Sequence, residues 1–452
     1  MSYLHQLTKE NTIIEQIGIP KIDSPVHCLP FEDPLTSLRP SENFVDDQER
    51  ILIDISKQHF LECLRKGEPP LTFEKAGPRQ KIFFSPKKTK CAIVTAGGLC
   101  PGENDVIRAI VLELYFIYGV RNIIGIPYGY QGFIPEYGHP VIDLTPERVS
   151  YIHELGGTIL SSSRGQYKVE EIVDTLQQLN INILFTIGGD GTLRGADLIV
   201  EEIKKRGLIT SVIGIPKTID NDISLVEKSF GFETAVEDAA KVIRSAHVES
   251  VGAPNGIGMV KLMGRYSGFI AAHAALASRE VNFVLIPESD FDLEGPQGLF
   301  AAVQKRLKER GHGVIVVAEG AGQKYLDGLP EEKDPSGNIK LKDIGIFLAE
   351  RIRRHFISHN MEINLKYIDP SYIIRSQPAN SSDRIFCGFL GQHAVHAGMA
   401  GKTNMLVSLW NNEYVHIPIR AAGARRKQVD VGGNMWMSVL ESTGQPPLKN
   451  KL

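Results

Sequence analysis

The stretch TIGGDGT, residues 186–192, follows the apolar run INILF, residues 181–185, and places three glycines around one carboxylate. The apolar run predicts a buried strand, and LRGADLIVEEIKKR at 193–206 predicts an amphipathic helix. Glycine at 188, 189 and 191 permits backbone angles and close approaches that a Cβ atom would forbid. The stretch therefore predicts a strand that turns tightly into a helix.

Asp190, in the middle of this turn, has two interpretations. Backbone amides at a helix N-terminus can face an anion, and a carboxylate among them fits an anion that arrives with a divalent cation. Asp190 would then hold Mg²⁺ against a polyphosphate. In the alternative interpretation the turn is only structural and Asp190 caps the helix. The string GGDGT alone does not decide between them.

The same strand-to-helix pattern extends outward from this stretch. From Lys90 onward, short β-branched runs such as CAIVTA, NIIGIP, SVIGIP and VIVVAEG alternate with helical stretches of roughly 10 to 20 residues. The alternation predicts an α/β fold with parallel sheets covered by helices on both faces. Residues 1 to about 88 are irregular and broken by proline, around one predicted helix over 46–66.

Length and composition restrict the class of protein. A chain of 452 residues predicts two or three domains, and 50 basic against 53 acidic side chains argue against a nucleic-acid partner. The longest apolar helix candidate, FIAAHAALA, is about half the roughly 18 residues that a membrane span needs, so no membrane partner is expected. Five cysteines without ligand spacing predict neither disulfides nor zinc, and favour a cytoplasmic protein: Cys28, Cys63, Cys91, Cys100 and Cys387. The C-terminal NKL weakly resembles a peroxisomal address.

A second junction, AIVTAGGLCPGENDVIRAIV at 92–111, leads from a strand into Gly97 and Gly98. A helix is predicted to begin near Asn104, which is a good capping residue. The junction matches neither the Walker pattern nor GxGxxG. We interpret it as a phosphate or nucleotide loop, and a structural turn is the alternative.

A third junction, IGIPKTIDNDI at 213–223, crowds polar residues after a strand. A plain turn seldom needs such a density, so we interpret this loop as catalytic. Asp220, kept ionised by Lys217, could accept the proton of an attacking hydroxyl. Asp222 would orient the loop or approach the metal.

Three further stretches, KLMGRYSG, VVAEGAG and YIDPSYIIRSQ, add Arg265, Glu319, Tyr372 and Arg375. Arginine suits the capture of a phosphate group or the neutralisation of charge on a transferring phosphoryl group. Taken singly, each charged residue could equally form a surface ion pair. Together with the glycine loops they predict a site for two phosphorylated ligands.

These motifs occur in the order and approximate spacing of the 6-phosphofructokinases, which the chain resembles from residue 90 to about 430. It looks closest to the plant and kinetoplastid ATP-dependent enzymes, which are related to the pyrophosphate-dependent ones. The resemblance implies two doubly wound, Rossmann-like domains. We expect an N-terminal extension at 1–88, a nucleotide-binding domain at 89–232 plus about 388–434, and a sugar-phosphate-binding domain at 233–387 plus the C-terminal segment.

The resemblance also implies a reaction and its residues. The enzyme would transfer phosphate from ATP to the 1-hydroxyl of fructose 6-phosphate in glycolysis, with Asp220 as base, Thr218 beside the transferring group, Arg265 on its charge, and Mg²⁺ on Asp190. The implied sugar-phosphate residues are Thr218, Ile219, Asp220, Met263, Gly264, Arg265, Glu319, Tyr372 and Arg375. The implied ATP residues are Gly97, Gly98, Tyr130, Arg164, Gly165, Gly189, Asp190, Gly191, Thr192 and Lys217. An allosteric homo-oligomer, a dimer or a tetramer, is expected.

Two departures from the family pattern leave alternatives open. Lys217 is typical of the pyrophosphate enzymes, but those enzymes replace Gly191 by aspartate, which would crowd and repel the α-phosphate of ATP. ATP is therefore the expected donor and pyrophosphate the alternative. Gly256 stands where bacterial enzymes supply an arginine to the sugar phosphate. Lys261 or the cluster at 425–427 would take the place of that arginine. The alternative for the cluster is a solvated surface patch with no ligand.

Two other classes of protein share part of the pattern. NAD kinases and lipid kinases carry a string very similar to GGDGT but do not need PKTIDND followed by MGR and YIIR. A catalytically silent regulatory subunit usually loses its base. Asp220, Asp190 and Arg265 are all present in this chain.

Overall fold

The structure, a computed structural model, describes residues 7–26, 44–328, 332 and 340–450. Cys28 and the last two residues of the C-terminal NKL lie outside the described residues. The chain divides into two compact units. The first unit comprises the residues up to Thr218, Ile223–Phe230 and Pro378–Arg425, and the second comprises Ile219–Asp222, Gly231–Gln377 and the residues from Arg426 onward.

Strands and α-helices alternate along the middle of the chain. The strands are β1 (Glu15–Gln16), β2 (Ile22–Asp23), β3 (Arg50–Leu52), β4 (Thr72–Lys75), β5 (Lys81–Ile82), β6 (Lys90–Thr95), β7 (Asn122–Ile126), β8 (Ile142–Asp143), β9 (Ile183–Gly188), β10 (Ser211–Pro216), β11 (Gly256–Leu262), β12 (Phe283–Leu285), β13 (His312–Ala318), β14 (Asn364–Ile368), β15 (Lys402–Thr403), β16 (Met405–Trp410) and β17 (Glu413–Pro418). The α-helices are α1 (Lys57–Lys66), α2 (Glu103–Leu112), α3 (Val169–Gln178), α4 (Asp190–Lys205), α5 (Phe232–Val251), α6 (Phe269–Ser278), α7 (Leu299–Arg310), α8 (Ile344–Ser358), α9 (Ser371–Arg375), α10 (Ser381–Met399), α11 (Ile419–Gly423) and α12 (Asn434–Thr443).

The first unit is built on a sheet with the strand order β3-β4-β17-β16-β10-β9-β6-β7-β8. The centre of the sheet, from β16 to β7, is parallel. From β6 the chain continues to β7 on one side, whereas β9 and β10 lie on the other side. Open α/β sheets bind ligands where the strand order reverses in this way. The loops after β6 and β9 are therefore the expected binding loops of this unit.

Helices cover both faces of the parallel centre, because side chains alternate across each buried strand. On one face Val94 and Leu184 pack with Ile199 of α4. On the other face α10 comes so close that a Cβ on Gly398 would lie 2.9 Å from Cγ2 of Ile183. The predicted α/β fold with parallel sheets covered on both faces is confirmed.

The edges of this sheet are antiparallel, and they correct the prediction for the N-terminal residues. The predicted helix over 46–66 is wrong in its first half, because Arg50–Leu52 forms β3 and pairs with β4. α1 begins only at Lys57, after the Ser56 hydroxyl accepts a hydrogen bond from the backbone N of His59 (3.3 Å). The described residues of 1–88 therefore complete the first unit and do not form a separate extension.

The second unit is built on a parallel sheet with the order β12-β13-β11-β14. α5 and α6 pack on the face of Val260 and Val316, and α7 and α8 pack on the face of Met259 and Ile315. The stretch FIAAHAALA forms most of α6 and is largely buried, as predicted. Neither α6 nor any other helix among the described residues has the length and apolar character of a membrane span.

The boundaries of the two units differ from the expected domains in three further places. The first unit ends at Arg425 rather than at about residue 434. α10 lies wholly in the first unit, which resumes at Pro378 rather than at about residue 388. The segment Ile219–Asp222 belongs to the second unit, although the segments on both sides of it belong to the first. The ligand bound by each unit stays a prediction.

Candidate active site

Three loops of the first unit leave the sheet at neighbouring strand ends. Thr95 of β6 pairs with Ile187 of β9, and Gly188 pairs with Pro216 of β10. Because parallel strands end at one edge of a sheet, the loops that carry TAGGLCPGEND, GGDGT and the start of PKTIDND begin side by side. This is the edge at which the strand order reverses.

The turn from β9 to α4 is tight at one end and open at the other. A Cβ on Gly188 would lie 2.2 Å from Oγ1 of Thr192, and a Cβ on Gly189 would lie 3.1 Å from the carbonyl oxygen of Lys217. At Gly191 a Cβ would meet nothing within 4 Å. The first N–H groups of a helix lack intrahelical acceptors, so this turn suits an anion and leaves room for one at Gly191.

Asp190 is the first residue of α4 and not its cap, because Gly189 occupies the N-cap position. The capping interpretation is therefore wrong. Arg194, one turn along the helix, donates two hydrogen bonds to the Asp190 carboxylate, at 2.5 Å and 3.1 Å. The Arg194 side chain is 63% exposed, and exposed ion pairs of this kind are weak. The cation of a bound ligand could displace this pair at small cost.

The fit of Asp190 to a magnesium ion follows from its chemistry. Among the described residues, no group of three or more His, Cys, Asp or Glu side chains could hold a metal ion. Mg²⁺ does not need such a cage, since it commonly takes one or two carboxylates and completes its shell with phosphate oxygens and waters. A single carboxylate beside an anion-binding turn fits that requirement.

Tyr130 and Thr192 fix the shape of the first turn of α4. The Tyr130 hydroxyl donates to the carbonyl oxygen of Thr192 (2.8 Å), and burial raises the pKa of Tyr130. The ring lies so close to Gly195 that a Cβ there would be 2.7 Å from Cε2 of Tyr130. The structure therefore gives Tyr130 a role inside the protein, in shaping the turn.

The loop after β6 is held by Lys217. Gly97 has φ of +94°, a left-handed conformation that favours glycine. The buried Lys217 ammonium donates to the carbonyl oxygen of Gly98 and lies 3.5 Å from where a Cβ of Gly97 would be. α2 begins near Asn104 as predicted, but Asn104 does not cap it. Its Oδ1 accepts instead from the backbone N of Ile159 (2.9 Å).

Arg164 and Gly165 are exposed in the loop that carries SSSRG. The Arg164 guanidinium lies beside the first glycine loop, since a Cβ on Gly98 would be 3.0 Å from its Nη2. A Cβ on Gly165 would lie 2.7 Å from the hydroxyl of Tyr167. The structure thus brings a solvent-exposed cation to the predicted phosphate loop.

In the second unit, three loops also leave neighbouring parallel strands at one edge. Leu262 of β11 pairs with Ala318 of β13, and Val260 pairs with Ile368 of β14. The loops contain, in order, Met263–Gly264–Arg265, Glu319–Gly320, and Asp369 to Arg375. The sequence motifs KLMGR, VAEG and YIDPSYIIR therefore meet at one edge of this sheet.

At this edge the backbone of the loop after β11 packs tightly on itself and on the backbone of the loop after β13, and leaves no space between them. Gly264 has φ of +129°, and a Cβ on it would lie 2.4 Å from the carbonyl oxygen of Ser267. A Cβ on Gly320 would lie 2.0 Å from the carbonyl oxygen of Arg265, and the backbone N of Gly320 donates to the carbonyl oxygen of Gly264 (3.0 Å). These contacts fix the position at which the Arg265 side chain leaves the chain.

Asp220 is held at the same edge. Its Oδ2 accepts a hydrogen bond from the backbone N of Arg265 (3.4 Å), and the Ser267 hydroxyl donates to its carbonyl oxygen (3.2 Å). Ile219, the residue before it, packs against the apolar core of the second unit. This loop is therefore anchored through both its backbone and its side chains.

Burial raises the pKa of Asp220 well above its ordinary value, and the carboxylates of Asp222 and Glu319 raise it further. The backbone N–H of Arg265 and the charge of Arg426 lower it by less. The prediction that Lys217 keeps Asp220 ionised is wrong in its direction, because the surroundings of Asp220 raise its pKa and so disfavour the ionised form. A carboxylate with a raised pKa is a stronger base, which suits proton abstraction.

Two residues of the cluster at 425–427 contact the loop that carries Asp220. Arg426 lies 3.3 Å from Oδ2 of Asp222, and Lys427 donates from Nζ to Oδ1 of Asn221 (3.0 Å). The backbone N of Lys427 also donates to the carbonyl oxygen of Asp222 (2.8 Å). The interpretation as a solvated surface cluster is wrong for these two residues, and only Arg425 is exposed.

Lys261 is bound by two carboxylates, Asp343 at 2.7 Å and Asp369 at 2.8 Å. Although burial alone would lower the pKa of Lys261, these hydrogen bonds outweigh it and the pKa is raised. Burial raises the pKa of Glu319, while the charges of Lys261 and Arg265 offset part of the rise. Because its charge is already matched, Lys261 is a poor candidate for holding a substrate phosphate.

Tyr372 and Arg375 extend this edge toward solvent. Tyr372 is 74% exposed, and the Arg375 guanidinium lies 4.5 Å from the centre of its ring. Met263, by contrast, is buried at 8% exposure as the last core residue before its loop. An exposed aromatic ring with a cation over it can receive a small polar ligand without rearranging the core.

The comparisons with known proteins decide the family. A family model described as Phosphofructokinase matches residues 90–398. The chain belongs to the phosphofructokinase family. An ATP-dependent 6-phosphofructokinase from Borreliella burgdorferi is 53% identical over 437 residues, which are 94% of this chain and 96% of the relative. ATP-dependent 6-phosphofructokinase 7 of Arabidopsis thaliana is 50% identical over 386 residues, 84% of this chain and 79% of the relative.

Solved structures of the family agree on the fold. A pyrophosphate-dependent phosphofructokinase from Nitrosospira multiformis aligns with a TM-score of 0.64 and 19% identity, over 81% of this chain and 95% of that chain. At this identity the likeness concerns the fold alone. The predicted resemblance to the plant ATP-dependent enzymes is confirmed by the identity with the Arabidopsis relative, although the bacterial relative from Borreliella burgdorferi is more similar.

Sequence reasoning missed two charged residues at the first edge. Arg194 binds Asp190, and the i,i+4 spacing of opposite charges on a predicted helix was a signal for it. Glu103, the fully buried first residue of α2, accepts a hydrogen bond from the backbone N of Cys100 (2.9 Å). No local pattern marked Glu103, because its burial depends on packing between distant segments.

Proposed function

We propose that this chain is an ATP-dependent 6-phosphofructokinase, which transfers a phosphoryl group from ATP to the 1-hydroxyl of fructose 6-phosphate in glycolysis. The observation that carries the proposal is Asp220, a buried carboxylate of raised pKa at a loop edge lined with arginines. Relatives at 53% and 50% identity over most of the chain carry this activity in their names.

Asp220 is assigned as the general base. It takes the proton of the sugar 1-hydroxyl while that oxygen forms a bond to the γ-phosphorus of ATP and the bond from phosphorus to the leaving ADP oxygen breaks. Its raised pKa favours this transfer, because a base works best when its pKa lies near the working pH. Arg265 would neutralise the charge that develops on the phosphoryl group.

We assign the donor to the first unit. Its glycine turns at Gly97–Gly98 and Gly189–Gly191 would receive the phosphates on backbone amides, with Arg164 at their side. Mg²⁺ held by Asp190 would neutralise charge on the donor's phosphate oxygens. Thr218 ends the first unit and is followed directly by Ile219.

We assign the sugar phosphate to the second unit. A cationic side chain could not replace Gly256 without a shift of the backbone, since a Cβ there would lie 2.0 Å from the carbonyl oxygen of Ser250. Lys261 is neutralised by two carboxylates, whereas Arg426 contacts one carboxylate and Lys427 contacts a neutral amide. Arg375 and the pair Arg426 and Lys427 are therefore the better candidates for the 6-phosphate. Glu319 would accept hydrogen bonds from the sugar hydroxyls.

ATP is the proposed donor because Gly191 leaves open space where a nucleotide's α-phosphate would need it. Pyrophosphate is a second candidate, which the buried cation of Lys217 favours. The Lys217 ammonium donates a hydrogen bond to the carbonyl oxygen of Gly98, so part of its charge is already offset by the loop backbone. A homo-oligomer, allosteric control and a cytoplasmic location stay predictions.

The test is a turnover assay of the purified enzyme with Mg²⁺. With ATP as donor and a mixture of fructose 6-phosphate, NAD and diacylglycerol as acceptors, we expect only fructose 6-phosphate to be phosphorylated. Phosphorylation of NAD or the lipid alone would refute the proposal, and no turnover with any acceptor would favour a silent subunit. With the sugar as acceptor, kcat/KM for ATP is expected to exceed that for pyrophosphate.

A further inference from the structure

Glu103 is a buried acid beneath the first glycine loop for which the proposed reaction has no use. It is the first residue of α2 and is 0% exposed. An ionised carboxylate in such a place is costly unless hydrogen bonds and an opposite charge offset its burial. The hydrogen bonds and charges around the Glu103 carboxylate therefore indicate its role.

Two buried ionisable side chains bind the backbone of the loop, one at Cys100 and the other at Gly98. Oε1 of Glu103 accepts from the backbone N of Cys100 (2.9 Å), and Lys217 donates from Nζ to the carbonyl oxygen of Gly98. Oε2 of Glu103 is buried and has no hydrogen-bond partner among the described residues. Lys217 is itself only 4% exposed. The carboxylate and the ammonium thus act on backbone groups two residues apart.

The two charges also act on each other. Burial raises the pKa of Glu103, and the charge of Lys217 is the largest influence that lowers it again. The attraction is mutual, so Glu103 offsets part of the positive potential that Lys217 would present to an anion at the loop. A bare polyanion depends on that potential more than a ligand with a nucleoside does.

We propose that Glu103 is a positioning residue that acts through the charge of Lys217. It is bound to the Cys100 N–H of the loop whose Gly98 carbonyl oxygen binds Lys217, it offsets the Lys217 charge, and it thereby disfavours bare polyphosphates relative to nucleotides as ligands of the loop. This inference rests on the proposed function in one respect, the assignment of the donor phosphates to this loop. It names a further residue that influences the choice of donor, and that residue acts through Lys217.

The experiment measures binding without an acceptor. Adenosine, Mg–ADP and Mg–pyrophosphate are titrated calorimetrically into the wild type and into Glu103→Gln at pH 8. Glutamine keeps the size of the side chain and an oxygen for the Cys100 N–H, and removes the charge. We expect pyrophosphate to bind about tenfold more tightly, ADP a few-fold more tightly, and adenosine with an affinity within about twofold of the wild type.

Two variants separate this effect from general damage. In Glu103→Gln/Lys217→Met the gain should vanish relative to Lys217→Met alone, because the charge through which Glu103 acts is then absent. Glu113→Gln is the matched control, since Glu113 is also a buried glutamate that directly follows α2 and burial raises its pKa to about 7. It should leave the binding of all three ligands unchanged.

Each outcome bears on the inference. If Glu103→Gln leaves pyrophosphate binding unchanged, or weakens all three ligands equally, the inference is wrong. Should the variant fold poorly, Glu103→Met fills the space without a polar group and must give the same gain. Turnover of fructose 6-phosphate by the wild type is measured separately. Its absence would overturn the proposed function, while the binding ratios would still decide the role of Glu103.

Discussion

The two loop edges of the candidate site use glycine for opposite purposes. In the first unit a Cβ on Gly191 would meet nothing within 4 Å. In the second unit a Cβ on Gly320 would lie 2.0 Å from the carbonyl oxygen of Arg265, and one on Gly264 would lie 2.4 Å from that of Ser267. The first edge leaves room for a ligand's phosphates at Gly191, beyond the closely packed Gly188 and Gly189, whereas the second is closed so that its side chains keep fixed directions.

The carboxylates of the two edges differ in the same sense. Asp190 is paired with an exposed arginine that a ligand's cation could replace. Asp220 is held by the backbone of Arg265, and burial with neighbouring acids raises its pKa. This difference is what the proposed roles require, in which one edge binds charge and the other moves a proton.

The largest expected effect is that of Asp220→Ser. Serine cannot take the proton of the sugar hydroxyl, so kcat should fall about 1000-fold. Fructose 6-phosphate should still bind within about threefold of the wild type, as measured by calorimetry. A near-normal kcat would contradict the general-base role of Asp220, and with it the contrast between an edge that binds charge and an edge that moves a proton.

The pH profile supplies a control for that variant. Because the pKa of Asp220 is raised, the base becomes protonated as the pH falls through a range above that of an ordinary aspartate. The wild-type kcat/KM should therefore fall tenfold per pH unit on this acid limb, roughly as one ionisation requires. The residual activity of Asp220→Ser should lack the limb.

The next largest effect separates closed from open glycines. Gly320→Ala should destabilise the protein by about 2 kcal/mol, since a methyl group would overlap the Arg265 backbone. Displacing Arg265 by even about 1 Å should lower kcat/KM about 100-fold. Gly191→Ala is the matched substitution in the other unit. For Gly191→Ala, urea unfolding should show that the free energy of unfolding falls by less than about 0.5 kcal/mol. A large fall would mean that the first edge is closed at Gly191 too.

Gly191→Asp sharpens the comparison at the open edge. A carboxylate fits the space at Gly191 in the unbound protein, so stability should change little. Its charge would repel the phosphates of ATP, and kcat/KM for ATP should fall roughly tenfold or more. The ratio of kcat/KM for ATP to that for pyrophosphate is the measurement. A ratio that does not fall would show that Gly191 is not beside the nucleotide.

The smallest effect concerns the pair of Asp190 and Arg194. Arg194→Gln removes the cation that competes for the Asp190 carboxylate, so a divalent ion with bound ADP should bind about threefold more tightly. Electron paramagnetic resonance of Mn²⁺ in the presence of ADP measures this affinity without turnover. Arg206→Gln, which removes another helix-end arginine bound to Glu202 and Asp174, is the control and should leave the affinity unchanged.

Local pattern was sufficient for the centre of both sheets. Alternating apolar runs and helices predicted the strands, and the polar residues after them predicted which loops carry chemistry. The loops with Gly97, Gly189 and Lys217 begin at adjacent strand ends because parallel strands of βαβ units end together. The same logic gathered Arg265 and Glu319 in the second unit.

Pairing between distant segments was not readable from the pattern. Residues 50–52 carry helical spacing, yet they form β3 because β4 and β17 extend the sheet and offer them a partner. The burial of Glu103 and the contact of Arg426 with Asp222 also depend on segments far apart in the chain. Which polar residue caps a helix was equally out of reach. Gly102 occupies the N-cap position where Asn104 was expected, and Gly189 occupies the one that the alternative interpretation gave to Asp190.

The position of Asp220 relative to the sugar is the central claim. A crystal structure with fructose 6-phosphate, Mg²⁺ and a non-hydrolysable ATP analogue measures the distance from the Asp220 carboxylate to the 1-hydroxyl oxygen. We predict a hydrogen bond of about 3 Å, with the γ-phosphate in line on the other side of that oxygen. An Asp220 carboxylate far from the hydroxyl, with another side chain bound to that hydroxyl, would contradict the claim.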